Sequence, residues 1–146
     1  MSARTRARTH TWLQQGQGWS ARQGYHQISV RRIDREKLGF FAPNNKKYCF
    51  NVMPFGLCNA PGTFERLMET VLRGMQWERA VLYLDDIIIF SETIKEHMSR
   101  LEEVFDRLQT ANLTLKPSKC HFFQKKVEFL GHIVDENGVH TDPKKI

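Results

Sequence analysis

The sequence predicts an α+β domain in which an antiparallel sheet is backed by helices on one face. Three observations carry that prediction. Short apolar or alternating runs of strand length recur at residues 25–30, 38–42, 47–52, 80–90 and 127–134. Two stretches, beginning near residues 61 and 93, repeat their apolar residues at helical spacing. Residues 43–46 and the pair Asn137-Gly138 have the composition of hairpin turns. The 146 residues suffice for one domain with a substantial core, and 40% hydrophobic with 26% charged residues is ordinary for a globular chain.

Residues 1–23 do not share the texture of the remainder. Arg4, Arg6, Arg8 and Arg22 are mixed with Thr, Gln, Gly and Ser, and the large apolar residues are only Trp12, Leu13 and Trp19. No acidic residue precedes Asp34, and neither helical nor alternating periodicity is present. Such a stretch buries too little surface to offset its ordering entropy. It is expected to be a basic leader without regular structure, either a tail touching phosphates or a translational leader.

From Gly24 the pattern changes. Residues 25–30 alternate apolar and polar as a strand end would, and the charged stretch 31–37 predicts a short turn or helix. Residues 38–42 and 47–52 flank a Pro-Asn-Asn-Lys turn. A loop punctuated by Pro54, Gly56 and Pro61 then opens a helix, with Pro61 where its missing N–H costs little. Phe64, Leu67, Met68, Val71, Leu72 and Met75 form one buried face. The second helix covers residues 93–110: Thr93 and Glu96 have capping-box spacing, and Ile94, Met98, Leu101, Phe105 and Leu108 make its apolar face. Residues 113–115 are a strand candidate, and residues 127–134 read as one strand before the Asn137-Gly138 turn.

Between the helices, Asp85 and Asp86 interrupt the apolar run 80–90. An unpaired ionised carboxylate is costly away from water, so the pair belongs at the tip of a hairpin whose strands enter the sheet. Clustered carboxylates at such a tip suit a hard divalent cation, Mg²⁺ or Mn²⁺, shared with a phosphate. A solvated acidic turn is the plainer alternative.

The net charge of +6 and pI near 9.4 point to a polyanionic partner, nucleic acid first, although other basic proteins share that balance. Cys49, Cys58 and Cys120 are odd in number and lack CxxC spacing, which fits reduced thiols rather than a disulfide frame or zinc site. No apolar stretch is long enough to span a membrane, and the N-terminus lacks the apolar core of a secretory signal, so no membrane partner is expected.

Four ordered segments carry a family resemblance. They are Gly24-Tyr25-His26-Gln27-Ile28, the run from Phe50 through Met53-Pro54-Phe55-Gly56 to Pro61, Tyr83-Leu84-Asp85-Asp86, and Phe129-Leu130-Gly131-His132. Together they resemble the palm of a reverse transcriptase, specifically that of Ty3/gypsy-type LTR retrotransposon pol polyproteins, over residues 24–146. The resemblance implies a reverse-transcriptase-like palm with incomplete fingers and no thumb, and RNA-directed DNA polymerisation by two-metal nucleotidyl transfer to a primer 3′-hydroxyl.

By that resemblance Asp85 is a catalytic metal ligand and Asp86 its acidic neighbour, with two Mg²⁺ or Mn²⁺ ions in the intact enzyme. Tyr25 is an aromatic gate under the nucleotide sugar, Phe55 and Gly56 line the nucleotide pocket, and Lys119 approaches the triphosphate. Tyr83 and Leu84 lie near the primer terminus, and Leu130 and Gly131 belong to a hairpin that grips the primer. The implied partners are an RNA or DNA template-primer, dNTPs, and the remainder of the pol polyprotein (fingers, thumb, RNase H). The implied location is cytoplasmic.

The sequence also departs from the family. Four residues before Gly24 the family has an aspartate, its second metal-binding carboxylate; here that position is Ser20, a neutral and weak ligand for a hard cation. Residues 1–23 carry nothing like the basic fingers segment, and the chain ends before a thumb. The expected division is therefore a leader, 1–23, disordered or out of frame, and a partial reverse transcriptase domain, 24–146. The expected function is that of a polymerase fragment inactive alone; the alternative is a non-catalytic nucleic-acid-binding remnant.

Overall fold

The computed structural model describes residues 9–14, 24–84 and 86–141; of Trp12 and Gln14 it describes the backbone alone. Strand β1 (Thr9–Gln14) is followed by two 3₁₀ segments, Tyr25–Gln27 and Arg32–Leu38, and by the hairpin β2 (Gly39–Phe41) and β3 (Lys47–Cys49). Helix α1 (Ala60–Val71) leads to β4 (Ala80–Tyr83) and β5 (Asp86–Ser91), and then to helix α2 (Ile94–Thr110). A 3₁₀ turn (Pro117–Lys119) and four short strands close the order: β6 (His121–Gln124), β7 (Lys126–Phe129), β8 (His132–Asp135) and β9 (Gly138–Thr141).

The main sheet has four antiparallel strands in the order β4-β5-β1-β6. Its register places Leu13 opposite Ile87, Thr11 opposite Ile89 and Thr9 opposite Ser91. Because side chains alternate along a strand, these six share one face. That face carries the core: Leu13, Ile87 and Ile89 cluster with Ala60, Phe64 and Met68 of α1 and with Leu101, Val104 and Leu108 of α2. Both helices therefore back one side of the sheet, as the sequence predicts. Asp86, whose backbone pairs with Gln14, points to the opposite side.

Several elements differ from the sequence reading. Within the stretch expected to be a leader, residues 9–14 form β1, an inner strand paired to β5 and β6. Its His10 and Thr11 are polar yet buried, a pattern in which hydropathy shows no strand. Residues 25–30 are not a strand: Gly24 O accepts from Gln27 N to close a 3₁₀ turn, and only Ser29 bridges to Val52. Residues 113–115 form no named strand, because the Gln27 side chain satisfies the Thr114 backbone in place of a neighbouring strand. The run 127–134 breaks into β7 and β8 at Leu130-Gly131.

Helix α2 is rolled relative to its expected face. Its buried residues are His97, Leu101, Val104 and Leu108, whereas Ile94, Met98 and Phe105 are 66%, 46% and 38% exposed. The two candidate stripes share Leu101 and Leu108, so spacing alone does not separate them. The helix start decides: Thr93 Oγ1 accepts from Glu96 N at 3.2 Å, as the capping spacing predicts, and Ser91 holds His97 inward. Phe105 instead meets the edge of Phe122 from β6, ring centres 6.4 Å apart. No described helix is long and apolar enough to cross a membrane.

Candidate functional site

Asp86 sits where the apolar run predicts. Tyr83 pairs with Asp86 across the β4–β5 hairpin, and Leu84 follows Tyr83 with φ 50°. Asp85, the expected first metal ligand, lies outside the described residues. Asp86 is half-buried and opens β5, whose next three residues, Ile87, Ile88 and Ile89, are all buried. Burial on both faces of β5 holds that carboxylate on a rigid strand, on the sheet side away from the helices.

A second hairpin tip stands beside the first. The Tyr83 ring meets the edge of Phe129, the last residue of β7, with centroids 6.4 Å apart and planes at 85°. Phe129 pairs with His132, and the two residues between them, Leu130 and Gly131, have φ 51° and 77°. Two positive φ angles define the tight hairpin turn that fits strand twist. Glycine adopts that geometry freely; leucine there is strained by about 1–2 kcal/mol. Leu84 and Leu130 thus each hold an exposed side chain on a strained tip. Leu130→Gly is expected to raise the urea midpoint, stabilising the chain by about 1 kcal/mol; an unchanged or lower midpoint would contradict the strain.

The residues expected to hold a nucleotide come together in part. Tyr25 lies 5.5 Å from Phe55 and 5.6 Å, edge-on, from Phe64 of α1, so α1 anchors the Tyr25 ring to the core. Phe55 is exposed, and Gly56 follows it at φ 86°, where a Cβ would meet open space but the backbone would resist one. A cleft of about 400 Å³ is lined by His26, Leu38, Gly39, Phe40, Phe50, Pro54 and Phe55. Lys119 ends the 3₁₀ turn after Lys116 and does not line that cleft.

Two residues within the quoted motifs acquire contacts that spacing did not reveal. His26 stacks edge-on against Phe55 at 5.0 Å and lines the cleft. Gln27 reads the Thr114 backbone as a strand would: its Oε1 accepts from Thr114 N at 2.7 Å and its Nε2 donates to Thr114 O at 3.2 Å. No local signal marked Gln27, whose partner lies 87 residues away.

The donor set tests the expected metal pair. Among the described residues no three His, Cys, Asp or Glu side chains lie close enough to hold an ion. Asp86 is a hard oxygen donor suited in kind to Mg²⁺ or Mn²⁺, and the backbone of Gln14 stands opposite it on the neighbouring strand. Ser20, at the family's aspartate position, lies outside the described residues. The described side chains therefore do not compose a two-ion centre.

Comparison with known proteins agrees with this geometry. The chain is 42% identical over 123 residues to the Pol polyproteins of transposons 297 and gypsy from Drosophila melanogaster, which covers 84% of this chain and 12% of each polyprotein. It is 37% identical over 114 residues to the transposon Tf2-3 polyprotein of Schizosaccharomyces pombe, covering 78% of this chain and 8% of that one. The chain thus spans 8–12% of the length of these relatives. Its fold is similar to the foamy viral protease-reverse transcriptase in complex with RNA/DNA hybrid, with TM-score 0.82, 22% identity, and coverage of 95% of this chain and 18% of that chain. The native prototype foamy virus protease-reverse transcriptase gives TM-score 0.71 and 27% identity over 94% of this chain and 17% of that one. Residues 19–134 match the family described as reverse transcriptase (RNA-dependent DNA polymerase), and the chain belongs to that family.

Proposed function

We propose that this chain is the palm portion of a retrotransposon RNA-directed DNA polymerase, and that alone it binds and positions nucleic acid without polymerising. The observation that carries the reading is the pairing of Asp86 with Gln14 on the sheet face opposite the helices, beside the contact between Tyr83 and Phe129. That face is reached by both hairpin tips and backed by a rigid core. A template-primer laid across it meets Tyr83 and Leu84 on one side and Leu130 and Gly131 on the other. Tyr25, Phe55 and Gly56 border the position of an incoming dNTP, with Lys119 toward its phosphates. The foamy viral relatives in complexes with RNA/DNA hybrid and ds DNA support the choice of partner.

Asp85 and Asp86 are the carboxylates that would face Mg²⁺ or Mn²⁺. With Ser20 in place of the family's further aspartate, Asp85 and Asp86 alone are too little charge for two ions, so this chain's own contribution stops at binding and orientation. The same shortfall favours a second reading, a remnant kept for nucleic-acid binding only.

The test is primer extension with Mg²⁺ or Mn²⁺ beside a binding titration at several salt concentrations, with Asp85→Asn as control. The expected result is binding whose logarithm falls linearly with log salt, and no incorporation above the control. Incorporation that Asp85→Asn abolishes would show that the chain polymerises unaided. Binding insensitive to salt, or none, would remove both readings. Ser20→Asp separates them: incorporation appears if one ligand is all that is missing, and binding alone persists in a remnant.

A further inference from the structure

His97 is fully buried on the first turn of α2 and takes no part in the site described above. Its Nε2 lies 2.6 Å from Thr11 Oγ1 of β1, and its Nδ1 lies 2.8 Å from Ser91 Oγ at the end of β5. Thr11 Oγ1 accepts the backbone N–H of Phe123 from β6 at 3.2 Å, and Ser91 Oγ donates to the Thr93 carbonyl at 3.2 Å. Each hydroxyl has one hydrogen and a neutral imidazole has one. The Ser91 hydrogen is committed to Thr93, so Ser91 accepts from His97 and the ring proton is on Nδ1. Nε2 is then an acceptor, and the Thr11 hydroxyl donates to it. One unbroken chain of donors runs from β6 through β1 and α2 to β5.

We infer that His97 is a positioning residue for the carboxylate hairpin: as a neutral imidazole protonated on Nδ1 it locks β1 and β5 in register beneath α2, and acid releases β1 from that lock. Register is the quantity at stake. Thr11 and Ser91 belong to the same β1–β5 ladder that places Gln14 opposite Asp86, and a one-residue slip of β1 would change which residue stands opposite Asp86. Fixing both hydroxyls to one ring prevents that slip. The consequence for Asp86 rests on the function proposed above; the lock itself does not.

A second proton turns Nε2 into a donor, so the Thr11 hydroxyl must swing its hydrogen away to accept, and that hydrogen loses the acceptor that held β1. The second proton also places a charge in the core. The groups that face the ring are His10 from β1, Glu96 and Arg100 from α2, Ser91 from β5 and the Phe123 ring from β6, 5.3 Å away. Burial first, and then His10 and Arg100, hold the imidazole below the ordinary histidine range, with Glu96 opposing. The unfolded chain therefore takes up the proton first. The lock is fully present above about pH 6.5 and weakens as pH falls below it toward the lowered folded value.

The experiment uses the whole ¹⁵N-labelled chain. Ring-nitrogen NMR is expected to show His97 protonated on Nδ1, bare on Nε2, and neutral at pH values where exposed histidines are charged. Between pH 7 and 5, protection factors at Thr11 and Leu13 should fall severalfold, up to roughly tenfold per pH unit, while those of Val104 in α2 hold. His97→Asn keeps a donor for Ser91 and loses the Thr11 bond, so β1 should exchange fast already at pH 7, with no further pH dependence. A proton on Nε2, titration in the ordinary range, or β1 protection that ignores pH would each overturn the inference. All three are read on the wild-type chain, so the result stands even if the variant does not fold.

Discussion

Deleting residues 1–14 is expected to abolish the cooperative melt of this chain, not to trim an idle tail. Those residues include β1, which pairs with β5 through six residues on one side and with β6 on the other. Its removal would strip Leu13 from the core, where it is wholly buried, and open two strand edges inside the sheet. Losing a buried leucine costs about 2–5 kcal/mol, and each lost ladder bond a further 0.5–1.5 kcal/mol or so. Their sum reaches the whole stability of a typical domain, about 5–15 kcal/mol. Circular dichroism during heating decides the matter. A truncated chain that melts as sharply, at the same temperature, is what a leader without structure would give, and would remove β1 from the sheet.

Phe64→Ala is expected to cost about 3–5 kcal/mol, the range for emptying a large buried site. Phe64 is 1% exposed, lies in the cluster shared by both helices, and supports the Tyr25 ring from 5.6 Å. At roughly 2–4 °C per kcal/mol, the midpoint should fall by about 10 °C. In urea the midpoint should drop with little change of slope, the mark of lost stability without a change in compactness. Phe41→Ala is the contrast: its ring is 72% exposed, and the expected change is within about 0.5 kcal/mol. Equal costs for the two substitutions would contradict the placement of Phe64 at the centre of the core.

How much of this was legible depends on how far each signal reaches along the chain. Helix α1, the capped start of α2, the β2–β3 hairpin and the carboxylate hairpin all announce themselves through residues within four or five positions. β1 does not. Thr11 is buried because its hydroxyl is satisfied by His97, 86 residues away, and no local window contains that partner. The roll of α2 was hidden for the same reason: a histidine counts as polar until Ser91 and Thr11 supply its hydrogen bonds. Gln27 and Thr114 are 87 residues apart, so the amide that replaces a strand partner looked like an ordinary exposed glutamine. At the site, the acidic pair and the leucine tips were visible as motifs, while the contact between Tyr83 and Phe129 that joins the two hairpins exists only in three dimensions.

Strand β6 has a consequence for the behaviour of the chain in solution. It is the last strand of its sheet among the described residues, and Phe122 and Phe123 on it are 40% and 44% exposed. A bare edge carrying aromatic residues is a template on which further chains can add. Three features oppose that growth: β6 has only four residues, its pairing with β1 is irregular between His10 and Trp12, and Lys119, Lys125 and Lys126 flank it. The first two are geometric and hold in any buffer. The lysines act through mutual repulsion, whose reach shrinks from about 10 Å at 0.1 M salt to about 3 Å at 1 M. Ionic strength therefore governs how readily this chain joins itself: added salt lowers the lysine barrier and leaves only the two geometric ones.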